Sequence, residues 1–63
     1  GGPMLEQFDD LLTVEEACEA LKIGKNTLYR LLTSHELKAY RNGRVWRIPR
    51  EAVEEYIRTQ AKL

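Results

Sequence analysis

The chain has 63 residues, of which 43% are hydrophobic and 32% charged, and its formal net charge is zero. This length gives room for one small domain with a core of roughly a dozen side chains, and the apolar content is too high for an intrinsically disordered chain. One cysteine and one histidine exclude an internal disulfide and a Cys/His zinc site of structural type. No apolar run approaches the ~20 residues that cross a bilayer, and no signal peptide is evident. We therefore expect a cytoplasmic protein with no membrane partner.

The zero net charge conceals a strongly basic middle segment. Between Lys22 and Arg50 the chain has eight basic residues and one acidic residue, Glu36, which gives a local charge of +7. The residues before this segment include six acids and no base. Because a polyanion responds to the local field, the middle segment is a candidate nucleic-acid-binding region.

The start of the chain is expected to lie outside the fold. Gly1-Gly2-Pro3 resembles a cloning remnant, and the segment that follows it up to Asp10 contains three acidic residues and no basic one. We expect residues 1–10 to be this remnant and a flexible acidic arm, and residues 11–63 to form the folded domain.

A capping box predicts the first helix. Thr13 stands three residues before Glu16, which is the spacing that satisfies free N–H groups at a helix start. Apolar residues then fall on one helical face as far as Leu21. The first helix should therefore begin at Val14.

A second short helix follows a break at Gly24. Leu28, Leu31 and Leu32 have helical spacing and predict a helix over residues 25–33. Two short helices joined by about three residues cannot lie side by side, so they should cross as a helix-turn-helix.

The Asn42-Gly43 dipeptide predicts a β-hairpin. It separates two segments with alternating polarity, residues 37–41 and 44–48, and suits a two-residue type I′ turn. This pairing places Arg41 opposite Arg44 and gives the hairpin one apolar face. The apolar face consists of Leu37, Ala39, Trp46 and Ile48. Trp46 is accordingly interpreted as a core anchor and not as a base-stacking platform.

Pro49 ends the second strand and suits the entry to a third helix. That helix should run from about Arg50 to Arg58 or slightly beyond. The predicted fold is α+β and mostly helical: a winged helix-turn-helix with two helices, a two-stranded antiparallel hairpin as the wing, and a C-terminal helix.

In such a fold the second helix can enter a DNA major groove. Arg30 has the chemistry to contact guanine, and Asn26 to contact adenine, each through two hydrogen bonds. Lys25 and Tyr29 suit phosphates. The N–H groups at the helix starts, including that of Thr13, are further phosphate donors.

The wing adds a second group of candidate contacts. Arg41 and Arg44 flank a turn that is small enough to enter a minor groove, and Lys38 and Arg47 continue the positive charge along the outward face. The candidate DNA-binding residues are Lys25, Asn26, Thr27, Tyr29, Arg30, Lys38, Arg41, Asn42, Gly43, Arg44 and Arg47.

Three stretches of the sequence carry a family resemblance: Thr13–Ala17, Leu21–Leu32 and Gly43–Ala52. Together they resemble the excisionase family of small winged-helix DNA-binding proteins, which are relatives of the DNA-binding domain of MerR-type regulators. The combination of Thr-Leu-Tyr-Arg on the second helix with Trp-Arg-Ile-Pro-Arg-Glu after the wing is the specific part. Lys22 stands where the family often has glycine.

This resemblance implies a non-enzymatic, cofactor-free protein that binds double-stranded DNA near the ends of mobile elements and directs a site-specific recombinase (an integrase) toward excision. We also expect cooperative self-association on DNA. Two alternatives stay open: the DNA-binding domain of a MerR-like transcriptional regulator, and, from another class, a protein-interaction module that recruits a partner through the hairpin edge or the acidic arm.

Overall fold

A computed structural model describes residues 5–62 of the chain, which contain three helices and three short strands. The elements are β1 (Leu11–Leu12), α1 (Val14–Leu21), α2 (Lys25–Thr33), β2 (Tyr40–Asn42), β3 (Val45–Pro49) and α3 (Arg50–Ala61). This arrangement confirms the predicted α+β winged helix-turn-helix. The leading Gly-Gly-Pro lies outside the described residues. No helix within them is long and apolar enough to span a membrane.

The capping box at the start of α1 is present. The Thr13 hydroxyl oxygen accepts a hydrogen bond from the Glu16 N–H at 3.1 Å, and the Glu16 carboxylate accepts one from the Thr13 N–H at 2.9 Å. Both interactions use donors that a helix start leaves free. The predicted first residue, Val14, is confirmed.

The turn between α1 and α2 is built on a residue with a left-handed backbone. Lys22 has a φ of 58°, and its N–H donates to the Glu19 carbonyl at 3.3 Å. The Ile23 N–H donates to the Cys18 carbonyl at 3.1 Å, which completes a Schellman motif. Glycine usually occupies the left-handed position, because a Cβ there costs roughly 1–2 kcal/mol.

Replacing Lys22 with glycine is therefore expected to increase the free energy of unfolding by about 1 kcal/mol, after the greater freedom of glycine in the unfolded chain is counted. Urea denaturation measures this change. Lys22→Ala is the matched control, because it removes the same charge and keeps the Cβ. Equal stability of the glycine and alanine variants would show that backbone strain at this turn is not the cause.

Helix α2 has the predicted bounds, Lys25–Thr33. Leu28, Leu31 and Leu32 are buried in the core, which leaves the polar face of the helix toward solvent. Its N-cap, Gly24, contributes no side-chain hydrogen bond. The position of α2 therefore depends on its three leucines.

The predicted hairpin register is wrong by two residues. The observed pairs are Tyr40↔Arg47, Arg41↔Trp46 and Asn42↔Val45. The two-residue loop is thus Gly43-Arg44, and β2 begins only at Tyr40. Since side chains alternate with a period of two, the shift leaves the predicted inward and outward faces unchanged.

The turn type explains the shifted register. A type I′ turn at Asn42-Gly43 would need positive φ at both residues, whereas a type II′ turn needs it only at the first central residue. Gly43 has a φ of 69°, while neither Asn42 nor Arg44 is among the residues with positive φ. The hairpin therefore places its one glycine where the left-handed conformation is required.

The segment before α1 packs against the domain, so the predicted flexible arm is wrong for residues 5–10. Leu5 and Phe8 are buried with the core residues. Leu11–Leu12 then pairs with β3 and extends the two-stranded wing to a three-stranded antiparallel sheet with the order β1-β3-β2. This third strand was not predicted.

Two charged residues of α3 hold this N-terminal segment. The Arg50 guanidinium donates to the Phe8 carbonyl at 2.9 Å and lies 3.1 Å from the Asp10 carboxylate. The buried Glu54 carboxylate accepts a hydrogen bond from the Leu5 N–H at 3.3 Å. Arg50, although part of the basic segment, therefore serves the fold.

Candidate DNA-binding interface

The predicted base-reading residues lie on the solvent side of α2. Lys25, Asn26, Tyr29 and Arg30 are exposed, and Thr27 is half-buried. The three leucines of the helix face the opposite way, into the core. The exposed face therefore combines two cations, an amide and a phenol, which can donate hydrogen bonds to bases or phosphates.

The wing tip is also exposed, and one of its arginines is oriented by an aromatic ring. Arg41, Asn42, Gly43 and Arg44 all lie in solvent. The Arg41 guanidinium lies 5.5 Å from the centroid of the Trp46 ring, which is within cation–π distance. Trp46 is half-buried and packs against the core, so it is both the predicted anchor and the support for Arg41.

A cleft of about 220 Å³ lies between the wing and the first two helices. Tyr29 from α2 and Arg44 from the wing tip both line it, so the fold brings the two predicted contact regions together. The lining residues are Thr13, Val14, Glu15, Tyr29, Arg44, Val45 and Trp46. We call the exposed face of α2, this cleft and the wing tip the α2–wing surface.

Two predicted contacts lie outside the α2–wing surface. Arg47 is half-buried and pairs with Tyr40 on the outward face of the sheet. Lys38 lines two grooves along α3, of about 290 and 570 Å³. The acidic residues that line these grooves with it are Glu36, Glu51, Glu54 and Glu55. A phosphate near Lys38 would therefore meet several carboxylates.

One expected phosphate donor is already occupied. The Thr13 N–H donates to the Glu16 carboxylate at 2.9 Å, so the expectation that it contacts DNA does not hold in this structure. The capping box that predicted the helix also removes this donor from the candidate interface.

The structure adds an acidic residue to the surface. The Glu15 carboxylate lies 3.3 Å from the Lys25 ammonium, and the two side chains are 69% and 59% exposed. A hydrogen bond from the backbone at Glu15 and, after it, the hydrogen bond and charge of Lys25 lower the pKa of this carboxyl. From the sequence, Glu15 was only a favourable charge at a helix start, because its contact with α2 depends on how the two helices cross.

Comparison with known proteins agrees with the helix-turn-helix fold. Residues 11–61 match the family described as "Helix-turn-helix domain". A protein from Saccharopolyspora erythraea described as a probable excisionase is 48% identical over 46 residues, which cover 73% of this chain and 47% of that protein. In Mycobacterium tuberculosis, strains CDC 1551 and H37Rv, proteins named as DNA-binding are 41% identical over 49 residues, which cover 78% of this chain and 63% of each relative. The matched region thus spans about half the length of the first relative and less than two thirds of the length of the other two. No solved structure is a significant match.

Proposed function

Because the chain belongs to the helix-turn-helix domain family, as an excisionase-like member, we propose that it binds double-stranded DNA through the α2–wing surface. Helix α2 lies in the major groove, and the wing tip reaches the neighbouring minor groove or backbone. The observation that carries this proposal is the shared cleft, which is lined by Tyr29 of α2 and Arg44 of the wing. A DNA duplex can therefore contact both elements at once.

The residues of this surface have different proposed roles. Arg30 and Asn26 read guanine and adenine from the exposed face of α2, because their side chains can each form two hydrogen bonds to these bases. Tyr29 contacts a phosphate beside the cleft. Arg41 and Arg44 supply positive charge at the wing tip, where a narrow minor groove attracts guanidinium groups. Lys38 is left out of the proposed interface because carboxylates surround it.

The biological role that we propose is that of an excisionase-like architectural factor. The similarity to a probable excisionase supports it. Bound beside the ends of a mobile element, the protein directs an integrase-type recombinase toward excision. The test is a recombination reaction with that recombinase and a DNA substrate that carries both element ends. Addition of the protein should raise the yield of excised circle. A binding site at a promoter, with no effect on excision, would favour a MerR-like transcriptional regulator.

The size of the domain also supports cooperative binding. A single module of this kind covers about 600–1,000 Å² of interface, which is small for a specific protein–DNA complex. We propose that neighbouring copies bind side by side on repeated sites. Selection from random duplexes should recover sites with a fixed spacing, whereas isolated single sites would contradict self-association.

Salt dependence provides the direct test of DNA binding. Five or six phosphate contacts predict that log K falls with log salt at a slope of about −5, because each contact contributes about −0.9. Fluorescence anisotropy with a labelled duplex, from about 50 mM salt upward, measures this slope. A flat response, or no duplex binding at about 50 mM salt, would rule out DNA binding as the function and favour a protein-interaction module.

Arg44→Ala is expected to weaken binding to all duplex sequences nearly equally, and to make the salt slope shallower by about 0.9. The reason is that Arg44 faces the cleft as a phosphate or minor-groove contact and not as a base reader. Lys38→Ala is the matched control, since it removes the same charge next to α3. Equal effects of the two substitutions would contradict the proposed placement of the interface.

A further inference from the structure

An ion pair links the two helices of the helix-turn-helix within the α2–wing surface. Glu15 is in the first turn of α1, and Lys25 is the first residue of α2. Their carboxylate and ammonium groups are 3.3 Å apart, and both side chains are largely exposed. Glu15 also lines the cleft with Arg44. A negative charge therefore lies among the groups that a DNA phosphate would approach.

This pair is not needed to hold the fold together. An ion pair as exposed as this one contributes little to stability, because solvent screens both charges. The buried leucines of α2 already hold the helix against the core. Hydrogen bonds from the backbone at Glu15 and from Lys25 lower the pKa of the Glu15 carboxyl, so this group is charged at neutral pH. Its effect is therefore exerted mainly on ligands that carry charge.

For an approaching duplex, the Glu15 carboxylate competes with phosphate. It occupies the ammonium of Lys25, which could otherwise displace a counterion from DNA, and it repels the backbone directly. Affinity for DNA of any sequence depends on the number of phosphates that cations neutralise. Base contacts from Asn26 and Arg30 do not depend on this number.

On the basis of the proposed DNA-binding function, we propose that Glu15 limits the sequence-independent affinity of the α2–wing surface by holding Lys25 away from the DNA backbone. The bound protein then depends more on base contacts. Because this electrostatic contribution acts on every duplex, it lowers the affinity for the specific site and for random DNA alike and leaves the ratio of the two affinities unchanged.

The variant Glu15→Gln tests this proposal. It is expected to bind both a random duplex and a selected duplex about threefold to tenfold more tightly at about 100 mM salt, with a salt slope steeper by about 0.9. Glu55→Gln is the matched control: it removes the same charge from the grooves along α3 and should leave affinity and slope unchanged. Thermal unfolding of both variants verifies that the fold is retained.

A second pair of variants distinguishes the effect of the ion pair from direct repulsion between the Glu15 carboxylate and the DNA backbone. In a Lys25→Gln protein, Glu15→Gln should no longer change the salt slope, because there is no ammonium to release. Three results would overturn the proposal: equal effects of Glu15→Gln and Glu55→Gln, a slope change that persists without Lys25, or weaker binding confined to the selected site. The last result would mean that Glu15 reads a cytosine amino group.

If the unmodified protein lacks salt-dependent duplex binding, the DNA-binding function itself fails. If the unmodified protein binds DNA and only Glu15→Gln is without effect, the DNA-binding function stands and the proposal for Glu15 fails.

Discussion

Replacing Leu28 with alanine is expected to decrease the free energy of unfolding by about 2–5 kcal/mol. Leu28 has no solvent exposure, and its side chain joins α2 to the core. Truncation removes buried apolar surface and leaves a cavity that the surrounding side chains fill only in part. Small domains of this length have modest total stability, so a large fraction of the protein should be unfolded at 25 °C.

Urea denaturation followed by Trp46 fluorescence measures this effect. Leu11→Ala is the matched control, because it makes the same chemical change at a residue that is 42% exposed. Leu28→Met, which nearly conserves volume, should cost less than about 1.5 kcal/mol. Similar losses for Leu28→Ala and Leu11→Ala would contradict the position of Leu28 at the centre of the core.

Replacing Arg30 with alanine is expected to weaken binding to the selected DNA site by about 1–3 kcal/mol and to relax base preference at one position of that site. Arg30 is exposed on the face of α2 opposite the core leucines, where it can contact a guanine through two hydrogen bonds. Binding to random duplexes should change much less. Selection from random sequences, repeated with the variant, reads out the position at which preference is lost.

Two further variants distinguish base recognition by Arg30 from the effect of its positive charge on affinity. Arg30→Lys keeps the positive charge and loses the two-pronged hydrogen bonding, so it should resemble Arg30→Ala in specificity while keeping more of its affinity. Arg44→Ala should weaken all sequences without changing their order. If the order of sites is the same with and without Arg30, then α2 is not the element that reads the bases.

Local sequence patterns predicted the helices well. The Thr13–Glu16 capping box and the spacing of Leu28, Leu31 and Leu32 gave the observed first residue of α1 and both bounds of α2. These signals involve residues within one or two helical turns of each other, so they do not depend on the rest of the chain. The wing was predicted for the same reason, since Gly43 marks its turn.

The hairpin register shows where local patterns become ambiguous. Alternation of side chains is satisfied equally by registers that differ by two residues. The choice between them depended on the backbone at Asn42, which the observed turn keeps out of the left-handed region. The selected register also places Arg41 opposite Trp46, and this cross-strand contact is visible only once the strands are paired.

The sequence by itself determined the fold class, the two helices of the helix-turn-helix and the exposure of the polar side of α2, because these features follow from short-range periodicity and capping. Only the tertiary structure decided how the basic segment is divided. Arg44 lines the α2–wing cleft, Lys38 lies among glutamates, and Arg50 binds the N-terminal segment through partners about forty residues away. It also paired Glu15 with Lys25. A charge pattern along the chain cannot predict such partners, since electrostatic contacts depend on distances in the folded state.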